Sequence, residues 1–369
     1  MNTKDSAAQL PPSLDIGGSG AAGSAAARVQ GTVSVHIVTY NSVKDIEGCL
    51  ECVRAQSYPI DKIVVLDNAS SDGTRELLRR IGQGLTVVES PENTGFAGGQ
   101  NRALAMSGSD YALVLNPDVR LHPDYIRQLV EQLERHPEAG SATGMLVRQP
   151  EEEVGGDMVP ERGVESDRSS ESIRSLPQAV RDWLDHLPQH AVIDSTGLRM
   201  DVARQAFDRG ANEPASAWLA GGETFGVSGA AAMYRRSMME HVKLRGEFFD
   251  ETFFAYKEDV DTAWRSRLLG WKALYVPEAR ALHARGWKEG GRAGVSLFVR
   301  RHSYENRIYT LVKNERSLLN LPAIIAIELL KLGYILVKER DLLPSWSAIF
   351  RRLPEMRAKR RELRQKPVR

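Results

Sequence analysis

The chain has 369 residues, 42% of them hydrophobic and 26% charged, with a formal net charge of +1. That length holds one large core or two smaller ones, and the composition is that of a globular protein, which excludes a fibrous or wholly disordered chain. A net charge so close to zero argues against whole-molecule attraction to nucleic acid.

Residues 1–30 include Gly17-Gly18-Ser19-Gly20 and lack the basic-then-apolar pattern of a signal peptide, so they read as a disordered lead-in. Residues 33–40 are β-branched and apolar, the first strand of a covered sheet. Asn41-Ser42 offers a cap for a helix running to about Gln56. Cys49 and Cys52, the only two cysteines, fall inside that helix with no further thiol or histidine at ligand spacing. They read as buried helical residues, and so sparse a cysteine content fits a reducing cytoplasm.

Residues 62–66 form a second strand, and the polar loop 67–74 feeds a helix to about Arg80. Residues 85–89 make a third strand, followed by a glycine-containing loop at 93–99 and another helix. The run 111–115 (Tyr-Ala-Leu-Val-Leu) reads as a buried strand that stops at Asn116-Pro117-Asp118. Asn-Pro and Asp favour turns by themselves. In an open α/β sheet, however, ligands bind just beyond the carboxyl ends of strands, which makes Asp118 a candidate metal ligand. Strands alternating with helices imply a parallel sheet with right-handed crossovers. Tyr40, Asp67, Gly95 and Asp118 should then gather on one edge, where a nucleotide-type ligand fits.

Residues 121–136 read as a helix. Composition then shifts: 151 to about 175 is rich in Glu, Asp, Gly, Ser and Arg, and 151–190 reads as a mobile insertion with a short helix near 179–185. Order returns at 193–198 and at 227–234, whose small residues let backbone or a ligand approach closely. Trp264, Leu268 and Leu269 follow Glu258 and Asp259 at helical spacing, placing two carboxylates at a helix N-terminus, as caps or as catalysts. A strand at 272–276 precedes His283, a lone histidine that by itself reads as structural. Residues 318–337 are apolar but interrupted by Pro322, Glu328 and Lys331, and beyond Phe350 nine Lys or Arg stand against Glu355 and Glu362. That pattern suits an in-plane anchor on an anionic cytoplasmic leaflet, or a helix packed on the domain with a solvated tail. The tail lacks the interleaved aromatics of a nucleic-acid platform.

Together these runs resemble the family-two inverting glycosyltransferases, specifically the bacterial rhamnosyltransferase-like branch. The resemblance rests on Val33-Ser34-Val35-His36-Ile37-Val38-Thr39-Tyr40-Asn41, Asp67-Asn68-Ala69-Ser70-Ser71-Asp72-Gly73-Thr74 and Asn93-Thr94-Gly95-Phe96-Ala97-Gly98-Gly99-Gln100-Asn101. Leu115-Asn116-Pro117-Asp118, Gly229-Ala230-Ala231 and Glu258-Asp259-Val260-Asp261 with Trp264-Arg265 complete it, in the family's order over about residues 31–315. It implies a GT-A fold, a Rossmann-like, mostly parallel central sheet flanked by helices, here followed by a C-terminal helical extension at 316–369. It also implies a nucleotide-sugar donor and Mg²⁺ or Mn²⁺. By similarity, Tyr40 and Asp67 would hold the nucleobase and ribose, and Gly95 and Asn101 would line the same pocket. Asp118 matches the last acid of the family's Asp-x-Asp motif, whose first acid is here Asn116, leaving a less charged metal site. His283 matches a histidine that completes metal coordination in some relatives. Asp259 matches the general base, with Glu258 its neighbour.

Such chemistry needs a cation beside the departing diphosphate and a carboxylate on the opposite side to take the acceptor hydroxyl's proton. A single displacement inverts the anomeric centre. The expected activity is transfer of a sugar, rhamnose from dTDP-rhamnose, to a hydroxyl of a lipid-linked (polyprenyl) or cell-surface glycan at the inner face of the cytoplasmic membrane. A UDP-hexose or UDP-galactofuranose donor, or a catalytically weak nucleotide-binding scaffold, are the alternatives. A nicotinamide oxidoreductase is disfavoured, because Thr39-Tyr40-Asn41-Ser42 replaces the glycine-rich turn.

Overall fold

The computed structural model describes residues 31–149, 175–284 and 295–369. The expected lead-in at 1–30 and the part of the expected insertion at 151–174 lie outside the described residues.

The amino-terminal half alternates as its apolar runs require. β1 (Val33–Thr39), β2 (Lys62–Asp67), β3 (Thr86–Glu89) and β4 (Tyr111–Leu115) are separated by α1 (Ile46–Arg54), α2 (Thr74–Ile81) and α3 (Gly95–Leu104). All five residues of β4 are buried, as expected of a strand covered on both faces. α1 starts later than the Asn41-Ser42 cap suggested. The Ser42 carbonyl accepts from the amides of Asp45 and Ile46, each at 3.0 Å, and regular helix begins only at Ile46. Cys49 and Cys52 are both buried on the inner face of α1, and burial pushes both thiols up, that of Cys52 to about 12.

Next come β5 (Val119–Leu121), α4 (Tyr125–Arg135), β6 (Ala139–Arg148), α5 (Leu176–Asp185) and β7 (Ile193–Ser195). The helix expected over 121–136 therefore starts at Tyr125. Residues 119–121 form a strand instead, because Val119 and Leu121 point into the core while the segment pairs with a distant partner. The chain continues through β8 (Leu198–Met200), β9 (Ala206–Asp208), β10 (Gly222–Thr224), β11 (Ala231–Arg235), α6 (Arg236–Val242), α7 (Glu258–Leu268) and β12 (Lys272–His283).

Among the described residues the main sheet has the order β10-β12-β6-β11-β4-β1-β2-β3, with β5 beside β12 and β7 beside β6. It is parallel through β4-β1-β2-β3, as βαβ alternation demands, and parallel again between β6 and β12. β11 enters antiparallel between β4 and β6, which makes the sheet mixed. The small residues of β11, Ala231 and Ala232, are fully buried there.

α8 (Leu297–Asn314), α9 (Leu321–Lys338) and α10 (Ser345–Gln365) close the chain. They share a small core with Phe253, including Tyr309, Ile335, Ile349 and Met356. Residues Leu318–Lys338 are long and apolar enough to cross a membrane, and most of that stretch is exposed. The basic tail is not simply solvated: Lys359 is buried, and the Arg369 guanidinium lies 4.2 Å over the Trp271 ring.

A buried ionic cluster ties these helices to the sheet domain. Lys313 of α8 pairs with both Asp250 and Asp261, and Lys359 of α10 pairs with Asp250 at 2.6 Å. Arg265 completes it, donating to Asp261 at 2.9 Å and to the carbonyl of Phe248 at 2.7 Å. Burial opposes ionisation of Asp250, but the two lysines hold its carboxyl well below the usual range.

Candidate active site

Strand pairing brings three distant residues together. β5 runs antiparallel to β12 with Val119 opposite His283, so Asp118, one residue before β5, meets the end of β12. β12 also pairs with β6, and β6 with β7, which carries Asp194. The His283 Nδ1 faces Asp194 Oδ2 at 2.8 Å, and its Nε2 faces Asp118 Oδ1 at 3.4 Å. Burial alone would lower the His283 pKa, but the two carboxylates outweigh it and raise it to about 9. The Asp118 Oδ1 is buried and makes no hydrogen bond among the described residues.

These groups fit a divalent cation. Asp194 orients the imidazole through one nitrogen and leaves the other beside an unsatisfied carboxylate oxygen, the arrangement in which a histidine ligates. Among the described residues no group of three His, Cys, Asp or Glu side chains forms a complete cage. A Mg²⁺ or Mn²⁺ site of this kind takes one or two protein ligands and completes its shell with substrate phosphates and water.

The second group of acids stands at the start of α7. Asp259 Oδ2 accepts from the Gly229 amide at 3.2 Å, and Oδ1 accepts from the Val260 amide at 2.7 Å. Burial raises the pKa of Asp259 despite those amides. Burial and the neighbouring Asp259 charge raise that of Glu258, whose Oε2 makes no hydrogen bond among the described residues. Both acids are therefore stronger bases than ordinary carboxylates. Asn116, Asp118 and His283 share with Glu258 and Asp259 the wall of one cavity of about 960 Å³.

Residues 34–181 match the glycosyl transferase family 2 domain. The chain carries a family 2 glycosyltransferase domain. It is 28% identical over 267 residues to the N-acetylglucosaminyl-diphospho-decaprenol L-rhamnosyltransferase of Mycobacterium tuberculosis, covering 69% of this chain and 76% of that protein. A shorter match, 29% identical over 110 residues, links it to the poly-β-1,6-N-acetyl-D-glucosamine synthase of Staphylococcus aureus, across 29% of this chain and 27% of that one. Among solved structures, a mannosyltransferase from Pyrobaculum calidifontis with GDP-Man and Mn²⁺ superposes at a TM-score of 0.50 and 20% identity, covering 89% of this chain and 76% of the other. GalNAc-T7 with UDP, GalNAc and Mn²⁺ does so at 0.52 and 14%, covering 78% and 48%. The fold of this glycosyltransferase is GT-A.

The family 2 match includes Asp118 and ends before Glu258, Asp259 and His283. The residues expected on the donor side are distributed unevenly in this glycosyltransferase. Tyr40 is half exposed just past β1. Asp67 is fully buried, and its carboxylate is engaged by Arg75 Nε at 2.6 Å, the Ser70 amide at 3.1 Å and the Thr39 hydroxyl at 3.3 Å. Gly95 and Asn101 are placed elsewhere than on the shared cavity. Asn101 grips the segment before α7, accepting from the Phe249 amide at 2.9 Å and donating to its carbonyl at 2.7 Å. Gly95 has φ +73°, and a Cβ there would stand 2.3 Å from the Phe254 carbonyl oxygen. Gly95→Ala is expected to destabilise the fold by more than about 1 kcal/mol, read as a lower urea midpoint.

Two contributors carry no local sequence signal. Asp194 lies on a three-residue strand and reveals its role only through β6 and β12. Asn306 of α8 donates to the carbonyls of Phe253, Ala255 and Tyr256 at 2.9, 2.9 and 2.8 Å. It thereby holds a run in which Phe254, Tyr256 and Lys257 all have positive φ, directly before the Glu258-Asp259 pair. Non-glycine residues persist in that conformation only when their surroundings over-determine it.

Proposed function

We propose that this glycosyltransferase is an inverting, metal-dependent enzyme that moves a sugar, rhamnose from dTDP-rhamnose, to a hydroxyl of a lipid-linked glycan. The observation that carries the reading is the shared cavity, with the Asp118–His283–Asp194 group and the Glu258-Asp259 pair both opening on it. Asp118 and His283 would hold Mg²⁺ or Mn²⁺, which offsets the charge developing on the departing nucleoside diphosphate. Asn116 lines the same wall and leaves that site with one carboxylate fewer than an Asp-x-Asp pair. Asp259, oriented by the Gly229 amide, takes the proton of the attacking hydroxyl. Burial and the nearby Asp208 charge keep that carboxylate basic, and Glu258 stands beside it as the second acid. A base and a leaving-group site on opposite sides of the anomeric carbon allow one displacement with inversion. The lipid-linked acceptor is drawn from the mycobacterial relative, whose name specifies a diphospho-decaprenol carrier. Residues 316–369 with the exposed apolar α9 suit a position at the inner face of the cytoplasmic membrane.

The test is a thermal-shift screen of dTDP-rhamnose, UDP-hexoses and UDP-galactofuranose with Mn²⁺, because a donor that binds only the folded state raises the melting temperature. A shift confined to UDP-sugars would replace the rhamnose assignment. Binding without donor hydrolysis or transfer would favour a nucleotide-binding scaffold. Asp118→Ala should abolish the Mn²⁺-dependent gain in nucleotide affinity seen by calorimetry. Asp194→Asn should weaken Mn²⁺ binding about 10–100-fold, since it removes the partner that orients His283. Equal titrations for wild type and both variants would take these residues out of the metal site.

A further inference from the structure

A second cavity, of about 910 Å³, lies between α8, α9 and the β8–β9 hairpin. Val299, Tyr304, Ile327, Leu330, Tyr334 and Ile335 make its apolar wall. Ala206, Phe207, Tyr256, Lys257 and Ser303 belong to this groove and to the catalytic cavity alike, so the two are continuous. The groove is also lined by Arg300, Arg307 and Lys331, and among the described residues no carboxylate lines it. Those three cations are paired behind the wall, Arg307 and Lys331 with Glu328, and Arg300 with Asp341 and Glu339. Lys257, at the junction, has no ion-pair or hydrogen-bond partner among the described residues, while burial lowers its pKa. The carboxylates of Asp259, Glu258 and Asp208 act on this ammonium from the catalytic side without closing an ion pair, so where the apolar groove meets the catalytic cavity it keeps donors for an anionic ligand group. On its far side the groove reaches α9, whose Leu329, Leu330 and Val337 are more than 60% exposed.

We propose that this groove seats the lipid diphosphate carrying the acceptor sugar, its apolar chain along α9 and its diphosphate at Lys257. The proposal rests on the transferase reading above and adds where the acceptor lies. A diphosphate at Lys257 sets the attached sugar in the neighbouring cavity, within the space bounded by Asp259. The chain leaves along the exposed side of α9. Charge complementarity and continuity with the catalytic cavity both select an amphiphile that is anionic at its sugar-bearing end. A neutral lipid would leave Lys257 without a contacting anion, and a free nucleotide would leave the apolar wall uncovered.

Farnesyl diphosphate is the probe, titrated by intrinsic fluorescence in EDTA so that the diphosphate is not drawn to a cation at Asp118. The wild-type chain should bind it in preference to farnesol. Leu330→Glu should weaken binding about tenfold or more by placing a charge in the apolar wall. Lys257→Met should erase most of the preference for the diphosphate over the alcohol. Melting temperatures establish that the variants fold, and Val299→Glu on the facing wall repeats the test should Leu330→Glu not. No binding, displacement by dTDP, or equal affinity in the wall variants would overturn the proposal. A donor sugar nucleotide that raises the melting temperature with Mn²⁺, alongside no farnesyl diphosphate binding, rejects the groove and leaves the transferase reading in place. The converse result rejects the transferase reading and keeps the groove.

Discussion

Asp259→Asn is expected to lower sugar transfer by about 10²–10⁴-fold, the usual contribution of a positioned general base. The amide cannot accept the hydroxyl proton, yet it keeps the size of the side chain and can still accept from the Gly229 amide. Donor binding, measured as the Mn²⁺-dependent calorimetric affinity, should therefore stay close to wild type, because the proposed mechanism assigns that affinity to the Asp118 side of the cavity. Burial has raised the Asp259 pKa, so the wild-type rate should climb with pH through a limb lying above the ordinary carboxylate value of about 4. The sign follows from the base being active only when deprotonated. Asp208→Asn should shift that limb downward, since it removes the negative charge that, after burial, raises the Asp259 pKa. Turnover of Asp259→Asn within tenfold of wild type would refute the assignment of the base.

The second large effect is on stability. Lys313 is fully buried between Asp250 and Asp261, and its removal leaves two buried carboxylates short of a cation. Lys313→Met is expected to cost about 3–5 kcal/mol, the range for breaking one partner of a buried pair, read as a lower urea midpoint at unchanged m-value. Because the folded-state pKa of Asp250 is depressed, its pairing contributes stability above its unfolded value near pH 4. That contribution is lost as pH falls through the depressed folded value. In the Lys313→Met variant, acid unfolding should accordingly begin at higher pH than in wild type. An unchanged midpoint would mean that the cluster relaxes around the lost charge.

The parallel half of the sheet was legible because each strand is a short β-branched or apolar run that local pattern alone identifies. Asp118 and the Glu258-Asp259 pair were legible for a related reason, since each sits at an element boundary where polar residues stand out. His283 stands out as a candidate only through the family resemblance, and local pattern ends its strand at 276, whereas β12 runs on to His283 after an irregularity between Val276 and Arg280. Pairing of β5 with β12 and of β7 with β6 joins segments tens to more than a hundred residues apart, and no local periodicity encodes it. Asn306, Lys313 and Lys359 were hidden for the opposite reason: on a helix rich in charge, a buried polar residue looks like a solvated one until its partners are known. The basic tail was read by charge, yet Met356, Lys359 and Leu363 are buried.

The two thiols of α1 have a practical use that follows from their position. Cys49 and Cys52 are wholly shut inside the core under β1 and β4, and both are protonated at neutral pH, so a thiol-directed reagent reaches them only when that part of the fold opens. Their labelling rate is thus a built-in clock for opening of the amino-terminal half of the sheet, with no probe to engineer. Run beside the urea curve of the Lys313→Met variant, it separates two cases. One is a molecule that opens as a single unit, in which loosening the helical end speeds labelling to the same degree. The other is a molecule in two independent parts, in which the clock keeps its wild-type pace while the helices let go.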